Sequence, residues 1–375
     1  MDIEATPPTR QGDPRLIAFY LPQFHPIAEN DEWWGKGFTE WANVVKARSL
    51  FPGHHQPHLP ADLGFYDLRL PEARVEQAKL ARRYGVHGFC YYHYWFHGRR
   101  LLERPFEEVL RSGEPDLPFC LCWANEHWSR RWDGLDREVL MPQSYSDEDD
   151  REHIRWLAGA FADRRYIRVD GKPLFLIYRT SQLANPARTA ETWREEATRL
   201  GIGEIFLCRV ESAGEEAEVA PGAYGFDAAV EFSPRWSELG DRVNFHGRRW
   251  RWARRLGVAN EAFSRHNVFE YQTVAALAMA RSLPDYELFR CVTPMWDNSA
   301  RRNAGAMILR GSTPDLYQRW LESALEQARQ RPPEHRLVFI NAWNEWAEGN
   351  HLEPSAKDGH AYLEATRRAL AGALI

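Results

Sequence analysis

Short apolar segments alternate with amphipathic segments along nearly the whole chain, and this alternation constrains the fold more than any other feature. Eight segments have the length and residue content of buried strands: Leu16–Leu21, Val86–Tyr92, Phe119–Trp123, Leu174–Tyr178, Ile205–Val210, Ala228–Phe232, Phe289–Pro294 and Leu337–Ala342. Apolar residues at helical spacing predict helices at Pro71–Tyr84, Leu101–Ser112, Asp147–Asp163, Ala187–Leu200, Tyr271–Ser282, Pro314–Gln330 and Gly359–Ala373. Continuously apolar strands that alternate with helices are typical of a parallel sheet covered by helices, and eight such units predict an α/β fold, a (β/α)8 barrel.

The alternative for such a pattern is an open, doubly wound sheet. No Gly-x-Gly-x-x-Gly or phosphate-binding loop follows any strand candidate, which disfavours it. We therefore predict a single catalytic domain over residues 15–375, preceded by a flexible, Pro-rich tail over residues 1–14. Three long segments follow strand ends, at 22–70, 124–146 and 233–270, and would shape a pocket on the catalytic face.

Charge and composition narrow the partners. The net charge is −5, and the one basic tract, at residues 248–255, is interpreted as a solvated helix face, so no nucleic acid is expected. The five cysteines lie in apolar strand candidates and predict reduced core residues. Neither a signal-peptide pattern nor an apolar run of membrane-spanning length is present, so we expect a cytoplasmic protein without a membrane span.

The last strand candidate leads directly into two carboxylates, Glu345 and Glu348. They stand among Trp343, Trp346 and Asn344, and the whole chain has 16 tryptophans, about three times the average share. A carboxylic acid that protonates a leaving oxygen, a second carboxylate and flat aromatic faces are what cleavage of a glycosidic bond requires. The alternative is that both acids only begin the final helix, where they would favour its N-terminal dipole.

Polar and aromatic side chains follow most of the other strand candidates, and the C-terminal ends of barrel strands converge on one cleft. The predicted substrate-binding residues, including some from the first long segment, are His25, Trp34, Glu40, Trp41, His58, Tyr92, Tyr94, Trp123, Asn125, Glu126, Arg179, Trp296, Asp297, Asn298, Asn344 and Trp346. Two of them have alternatives: Glu126 as an ion-pair partner of Arg130 or Arg131, and Asp297 as the start of an Asx turn.

Histidines cluster in the first long segment, at His54, His55 and His58. Three such side chains could hold zinc. Pro57 and Pro60 preclude a helix-borne ligand pair, so hydrogen-bonding histidines are predicted instead. No metal and no organic cofactor are expected.

Several motifs together resemble the WbsX-type family, whose members are labelled glycosyltransferase-like and are associated with bacterial surface polysaccharide. The motifs are Ala18-Phe-Tyr-Leu-Pro-Gln-Phe-His25, Trp33-Trp-Gly-Lys-Gly-Phe-Thr-Glu-Trp41, Gln56-Pro-His-Leu-Pro-Ala-Asp-Leu-Gly-Phe-Tyr66, Trp123-Ala-Asn-Glu126, Trp296-Asp-Asn298 and Asn341-Ala-Trp-Asn-Glu-Trp-Ala-Glu-Gly349. The resemblance spans roughly residues 15–370.

WbsX-type proteins are in turn similar to glycoside hydrolase family 99, endo-acting α-mannosidases on a (β/α)8 barrel. The segment Asn344-Glu-Trp-Ala-Glu-Gly349 matches that family's stretch after the last strand. The resemblance implies that Glu345 acts as a base toward the sugar 2-hydroxyl, giving a 1,2-anhydro intermediate, and that Glu348 is the general acid and then the base for water. Direct nucleophilic attack by Glu345 is the alternative.

We therefore expect a retaining glycoside hydrolase that cleaves α-linked manno- or rhamno-configured sugars of an O-antigen-type polysaccharide. A mannosidase or rhamnosidase of this kind would bind an oligosaccharide or polysaccharide. Glu348 should have a raised pKa, so that it stays protonated near neutrality. The rival hypotheses are a glycosyltransferase and a noncatalytic glycan-binding barrel. A glycosyltransferase that uses nucleotide sugars usually needs a doubly wound domain and often an Asp-x-Asp metal site. Neither is found, since Asp147-Glu-Asp-Asp150 suits a helix cap better than a metal site.

Overall fold

The computed structural model describes residues 12–130, 135–212, 219–243 and 262–372, together with Trp252, Arg255 and Leu256. Eight parallel strands form its centre. They are β1 Arg15–Tyr20, β2 Val86–Phe96, β3 Phe119–Trp123, β4 Lys172–Ile177, β5 Phe206–Glu211, β6 Ala228–Glu231, β7 Leu288–Val292 and β8 Leu337–Ile340. Each strand pairs with its neighbour in sequence, and β1 pairs with both β2 and β8. The sheet is therefore closed, which confirms the predicted (β/α)8 barrel and excludes the open sheet.

Seven longer helices cover the strands. They are α1 Pro71–Arg83, α2 Arg104–Ser112, α3 Asp147–Phe161, α4 Pro186–Arg199, α5 Tyr271–Ala280, α6 Pro314–Arg329 and α7 Ala361–Gly372. Side-chain caps begin several of them where the sequence supplies a cap: Ser146 accepts from the Asp149 amide, and Thr313 from the Leu316 amide. Between β5 and β6 the described residues form only a 3-10 turn, Pro221–Tyr224.

The core fills both the barrel and the layer between strands and helices. β4, β7 and β8 are buried along almost their whole length, because one face packs inside the barrel and the other under helices. Inside, Phe19 packs against Phe339 and Phe232. All five cysteines are buried and unpaired, as the reduced-core prediction required. No described helix has the length and apolar character needed to cross a membrane.

Smaller elements build the rim at the C-terminal ends of the strands. The segment after β1 forms helices Ala28–Trp34 and Trp41–Lys46, and β2 continues into a hairpin with Arg99–Leu101. After β3, Trp128–Arg130 pairs with Leu135–Met141, and after β4 comes a 3-10 turn, Thr180–Gln182. Helix Ala262–Arg265 precedes a small sheet of Asn267–Glu270, Met307–Arg310 and Trp296–Asp297. At the opposite end, Arg168–Val169 pairs with β4 and a 3-10 turn, Pro333–His335, precedes β8.

Two sequence predictions fall on residues that the structure does not describe. The tail proposed at residues 1–14 lies outside the described part except for its last three residues. Most of the basic tract at 248–255, and with it much of the long segment at 233–270, also lies outside the described residues.

Candidate active site

A tight turn directly after β8 carries the two predicted catalytic carboxylates. Asn344–Glu345 pairs antiparallel with Asn350–His351, and a 3-10 turn, Trp346–Glu348, connects them. Gly349 ends the turn at φ 53°, and a Cβ there would lie 2.9 Å from the carbonyl oxygen of Asp297. Glycine is therefore required both by the left-handed conformation and by the close approach. The following helix begins only at Ala361, so the alternative that both acids merely start this helix is wrong.

The turn opens into a cleft of about 570 Å³ at the C-terminal ends of the strands. Nine of the predicted site residues line it: Trp34, Tyr92, Tyr94, Glu126, Arg179, Trp296, Asn298, Glu345 and Glu348. Further lining residues that were not among the predicted contacts include Asn30, Trp33, Trp128, Tyr178, Trp236 and Arg301. The wall is thus mainly aromatic, with a few charged groups, which is the composition expected of a ligand pocket.

One guanidinium group joins both carboxylates. Arg301 contacts Glu345 Oε2 through Nη2 at 3.0 Å and Glu348 Oε1 through Nη1 at 2.7 Å. The same Nη2 lies 3.0 Å from Glu40 Oε2, and the Arg301 Nε donates to that oxygen at 3.1 Å. Three carboxylates therefore surround one cation in a largely buried site. Arg301 stands five positions after Trp296 in the sequence, but the sequence does not show which carboxylates it contacts.

This arrangement shifts the ionisation of the whole group. Burial raises the pKa of Glu345; Arg301 opposes the shift, while Glu348 and Glu40 add to it. Burial also raises the pKa of Glu348, again against Arg301 and with Glu40. Burial opposes the charge on Arg301, but Glu40, Glu345 and Glu348 raise its pKa above the ordinary value, so it stays cationic. The two site carboxyls thus favour holding a proton between them.

Three predicted contact residues hold the rim together and do not line the cleft. Asn125 accepts the Arg179 amide at 2.8 Å and donates to its carbonyl oxygen at 2.8 Å. Asn344 makes the same pair of bonds with Leu21, at 2.8 and 3.0 Å. Trp123 is fully buried and donates to the Trp95 carbonyl. Their short polar or indole groups satisfy backbone atoms where strands end, so they position the neighbours that do face the cleft.

Two more predicted contacts, Trp41 and Trp346, are packed behind the catalytic turn. Their rings lie 5.7 Å apart, and the Trp346 indole donates to Glu353 Oε2 at 2.6 Å. Trp41 donates to the Tyr66 carbonyl. Both indoles are therefore supports and not stacking platforms. Glu353 is structural, because it also accepts from Tyr66 and Gln77.

Of the four remaining predicted contact residues, two are buried and two line a second, smaller hollow. His25 is buried, away from the cleft, and burial lowers its pKa to about 4. Glu40 is fully buried and acts only through Arg301. His58 and Asp297 line a separate hollow of about 90 Å³ behind Trp296.

The histidines beside this hollow form hydrogen bonds, as predicted. His54 Nε2 lies 2.6 Å from Asp297 Oδ2, and His58 Nδ1 lies 3.0 Å from His351 Nε2. The Asx turn is also present, since Asp297 Oδ1 accepts from the Ser299 amide. Within the described residues, no three His, Cys, Asp or Glu side chains are grouped to hold a metal.

Glu126 reaches across the cleft wall to a neighbouring strand end. Its Oε1 accepts from Arg179 Nε at 3.0 Å. The alternative partners considered from sequence, Arg130 and Arg131, have side chains outside the described residues. The Glu126–Arg179 pair is part-exposed and lines the cleft, so it is available to hydroxyl groups of a ligand.

A closed barrel, a carboxylate pair and aromatic residues in the cleft wall are the arrangement expected of a glycan-processing (β/α)8 protein. The chain belongs to the WbsX family, because the family model described as Glycosyltransferase WbsX matches residues 16–366. Two curated relatives, both named uncharacterized protein WxcX, come from strains B100 and ATCC 33913 of Xanthomonas campestris pv. campestris. Each is 47% identical over 356 residues, or 95% of this chain and 49% of the relative. The chain thus spans about half the length of these relatives.

Solved structures with the same fold are much more distant in sequence. A glycoside hydrolase-like protein superposes with a TM-score of 0.58 at 14% identity, covering 96% of this chain and 94% of its own. A GH99 endo-alpha-mannosidase from Bacteroides thetaiotaomicron, in complex with BIS-TRIS-propane, gives 0.56 at 16% identity, covering 96% and 97%. At this identity the likeness establishes the barrel fold alone.

Proposed function

We propose that the protein is a retaining glycoside hydrolase acting on α-linked manno- or rhamno-configured sugars of bacterial surface polysaccharide. The observation that carries the proposal is the pair Glu345 and Glu348, bridged by Arg301 and facing an aromatic cleft. Hydrolysis with retention needs one carboxyl that is protonated and one that is not. Two buried carboxyls that share a cation and favour a shared proton supply this state.

In the proposed reaction the sugar 2-hydroxyl is the first nucleophile. Glu345 takes its proton, O2 bonds to the anomeric carbon, and the bond to the leaving oxygen breaks as Glu348 protonates that oxygen. In the second step Glu348 takes a proton from water, which attacks the anomeric carbon while Glu345 returns a proton to O2. Direct attack by Glu345 would give the same stereochemical result but a covalent glycosyl-enzyme.

The substrate class follows from this chemistry. Closure of a 1,2-anhydro ring requires O2 to stand trans to the leaving group, as it does in α-mannosides and α-rhamnosides. Half-exposed tryptophans such as Trp34 and Trp128 offer flat faces for sugar rings, and the Glu126–Arg179 pair offers hydrogen bonds.

The decisive experiment incubates the protein with α-mannosides and with α-linked D- and L-rhamnosides and follows the released sugar by proton NMR. The expected result is initial release of the α-anomer from at least one substrate. Initial release of the β-anomer from every cleaved substrate would refute the retaining mechanism. A 1,2-anhydro sugar offered as substrate should be hydrolysed, whereas a covalent glycosyl-enzyme in a mass spectrum would favour direct attack.

Glycosyl transfer is the second candidate, and the family's description favours it. It predicts a new linkage when the protein meets nucleotide sugars and an oligosaccharide acceptor, with no release of free sugar. A noncatalytic glycan-binding barrel predicts saturable binding that survives loss of both carboxyls, with hydrolysis of none of the glycans tested.

A further inference from the structure

Glu40 lies far from the catalytic turn in sequence but shares its cation. It precedes the short helix Trp41–Lys46 in the segment after β1, and its side chain has no exposed surface. Arg301 follows the 3-10 turn Asn298–Ala300 after β7, and Glu345 and Glu348 follow β8. The guanidinium therefore connects three separate loops of the rim.

We propose that Arg301 is a positioning residue that holds Glu345 and Glu348 as a proton-sharing pair, and that Glu40 is the buried anchor that keeps Arg301 between them. The proposal rests on the proposed function only for its catalytic consequence. We call Arg301 together with Glu40 the clamp. The clamp is a property of the unliganded protein and is measurable without a substrate.

The excess of carboxylates over cations in this cluster favours the retention of one proton. If all three carboxyls were ionised, the cluster would carry three negative charges against one positive charge in a buried site. Like charges this close disfavour full ionisation, so one proton is retained. Glu40 is the most buried of the three and makes two contacts with Arg301, whereas Glu345 and Glu348 have side-chain exposures of 8% and 21% and face the cleft. The retained proton is therefore available at the cleft side.

The contacts of the Arg301 guanidinium also fix its orientation. Nη1 serves Glu348, while Nη2 serves Glu345 and Glu40. A planar fork held at its Nε side by Glu40 cannot swing toward one site carboxyl and release the other. Lysine would provide the charge but not the fork. Other charged or titratable groups near the pair are Arg302, Tyr92, Tyr94 and Tyr178, and Glu126 with Arg179 lies beyond Tyr178.

The two partners of the clamp should act with opposite sign. Glu345 and Glu348 titrate at lower pH because Arg301 is present and at higher pH because Glu40 is present. Arg301→Gln should therefore move the titration of the pair upward by about one pH unit or more, and Glu40→Gln should move it downward. A merely structural role would produce no such opposed shifts.

The test is a carbon-13 NMR titration of glutamate-labelled protein, with Glu345→Gln and Glu348→Gln used to assign the signals. Arg301→Lys is a second variant in case the glutamine variant unfolds; it should keep the fold and give a smaller upward shift. Arg310→Gln is the matched control, since Arg310 pairs with Glu270 at the rim and not with the pair. Shifts of the same sign in Arg301→Lys and Glu40→Gln, or no shift in either, would overturn the proposal.

Activity then separates this proposal from the hydrolase proposal. If hydrolysis is found, both limbs of the pH–rate profile should move with the NMR titration, upward for Arg301→Lys and downward for Glu40→Gln. Opposed NMR shifts without hydrolysis of any substrate would uphold the clamp and refute the hydrolase. Hydrolysis whose pH profile is the same in Arg301→Lys, Glu40→Gln and the wild type would uphold the hydrolase proposal and refute the role proposed for Arg301 and Glu40.

Discussion

Two buried clusters of arginine and glutamate differ in which charge is in excess. At the cleft, three carboxylates surround the single guanidinium of Arg301. The second cluster lies between strands β5, β6 and β7 and helix α5. There Arg209 and Arg235 contact Glu211, while Arg290 contacts Glu231. Arg281 contacts both of these glutamates.

The two clusters differ in their ratio of charges and not in the presence of buried ion pairs, so this ratio separates the proposed catalytic site from the structural cluster. Excess carboxylate favours retention of a proton, which acid–base chemistry needs. In the second cluster each carboxylate contacts more than one arginine and is buried away from the cleft, so we interpret these contacts as structural. Glu231, the last residue of β6, belongs to this second cluster.

The largest effect is expected in the structural cluster. Glu211→Gln would leave the fully buried Arg209 without its counter-ion, which should lower the free energy of unfolding by about 3–5 kcal/mol. Urea denaturation measures this change. Glu270→Gln, at a half-exposed pair, is the control and should cost less than about 1 kcal/mol. Equal effects of the two substitutions would remove the distinction.

At the cleft the same type of substitution should reduce activity and not stability. Glu345→Gln and Glu348→Gln are each expected to lower turnover at least about 100-fold, equivalent to about 2.7 kcal/mol of activation free energy. Because each removes one of three like charges, the free energy of unfolding should stay unchanged or rise. Steady-state kinetics and urea denaturation of the same preparations provide both numbers. Near-normal turnover in both variants would contradict the assignment.

The pH dependence of stability gives a further difference. A carboxyl whose pKa is raised in the folded protein binds more protons folded than unfolded. Stability therefore falls as the pH rises from the unfolded value, about 4.3, toward the folded one, by about 1.4 kcal/mol for each unit between them. Glu345→Gln should flatten this fall between pH 5 and pH 8.

Other buried carboxyls, Asp149 among them, also have raised pKa values, so their contribution to the same fall must be subtracted. Burial raises the pKa of Glu353 and of Asp150 to about 7 each. Both remain in the variant, so the difference between variant and wild-type curves isolates the cleft. Parallel curves for the two proteins would show that Glu345 ionises as an ordinary carboxyl.

The smallest effect is expected where the cleft carries no charge. Trp128 packs against Tyr94 with ring centroids 5.1 Å apart and remains partly exposed in the cleft. Trp128→Ala should raise KM about 2- to 10-fold with little change in kcat, equivalent to about 0.5–1.5 kcal/mol of uniform binding. A fall in kcat instead would place the ring in contact with the reacting sugar.

The fold could be predicted because it rests on local periodicity. Each of the eight strand candidates overlaps a strand of the closed barrel, with ends that differ by a few residues. Apolar runs and helical spacing report burial over several residues at once, so small errors cancel. The sequence also gives no candidate helix between β5 and β6, where the described residues form only a 3-10 turn.

The site was predictable only in part because side-chain direction is lost where strands end. Asn344 and Glu345 are adjacent, but the first turns inward to Leu21 and the second faces the cleft. Within a strand such alternation follows from its period of two; in the turns beyond it there is no rule to apply. The Glu40–Arg301 contact joins residues 261 positions apart, and no local pattern reports such a distance.

The guanidinium between the two acids has a consequence for inhibitor design. Sugar mimics that carry a protonated amine bind many glycosidases tightly because the amine forms an ion pair with a carboxylate of the active site. Here Arg301 lies within 3.0 Å of both acids and already neutralises part of their charge, so a basic nitrogen gains less from them than it would without the guanidinium. We expect Arg301→Gln to tighten the binding of protonated imino sugars relative to uncharged cyclic mimics of the same shape, as measured in competitive inhibition assays.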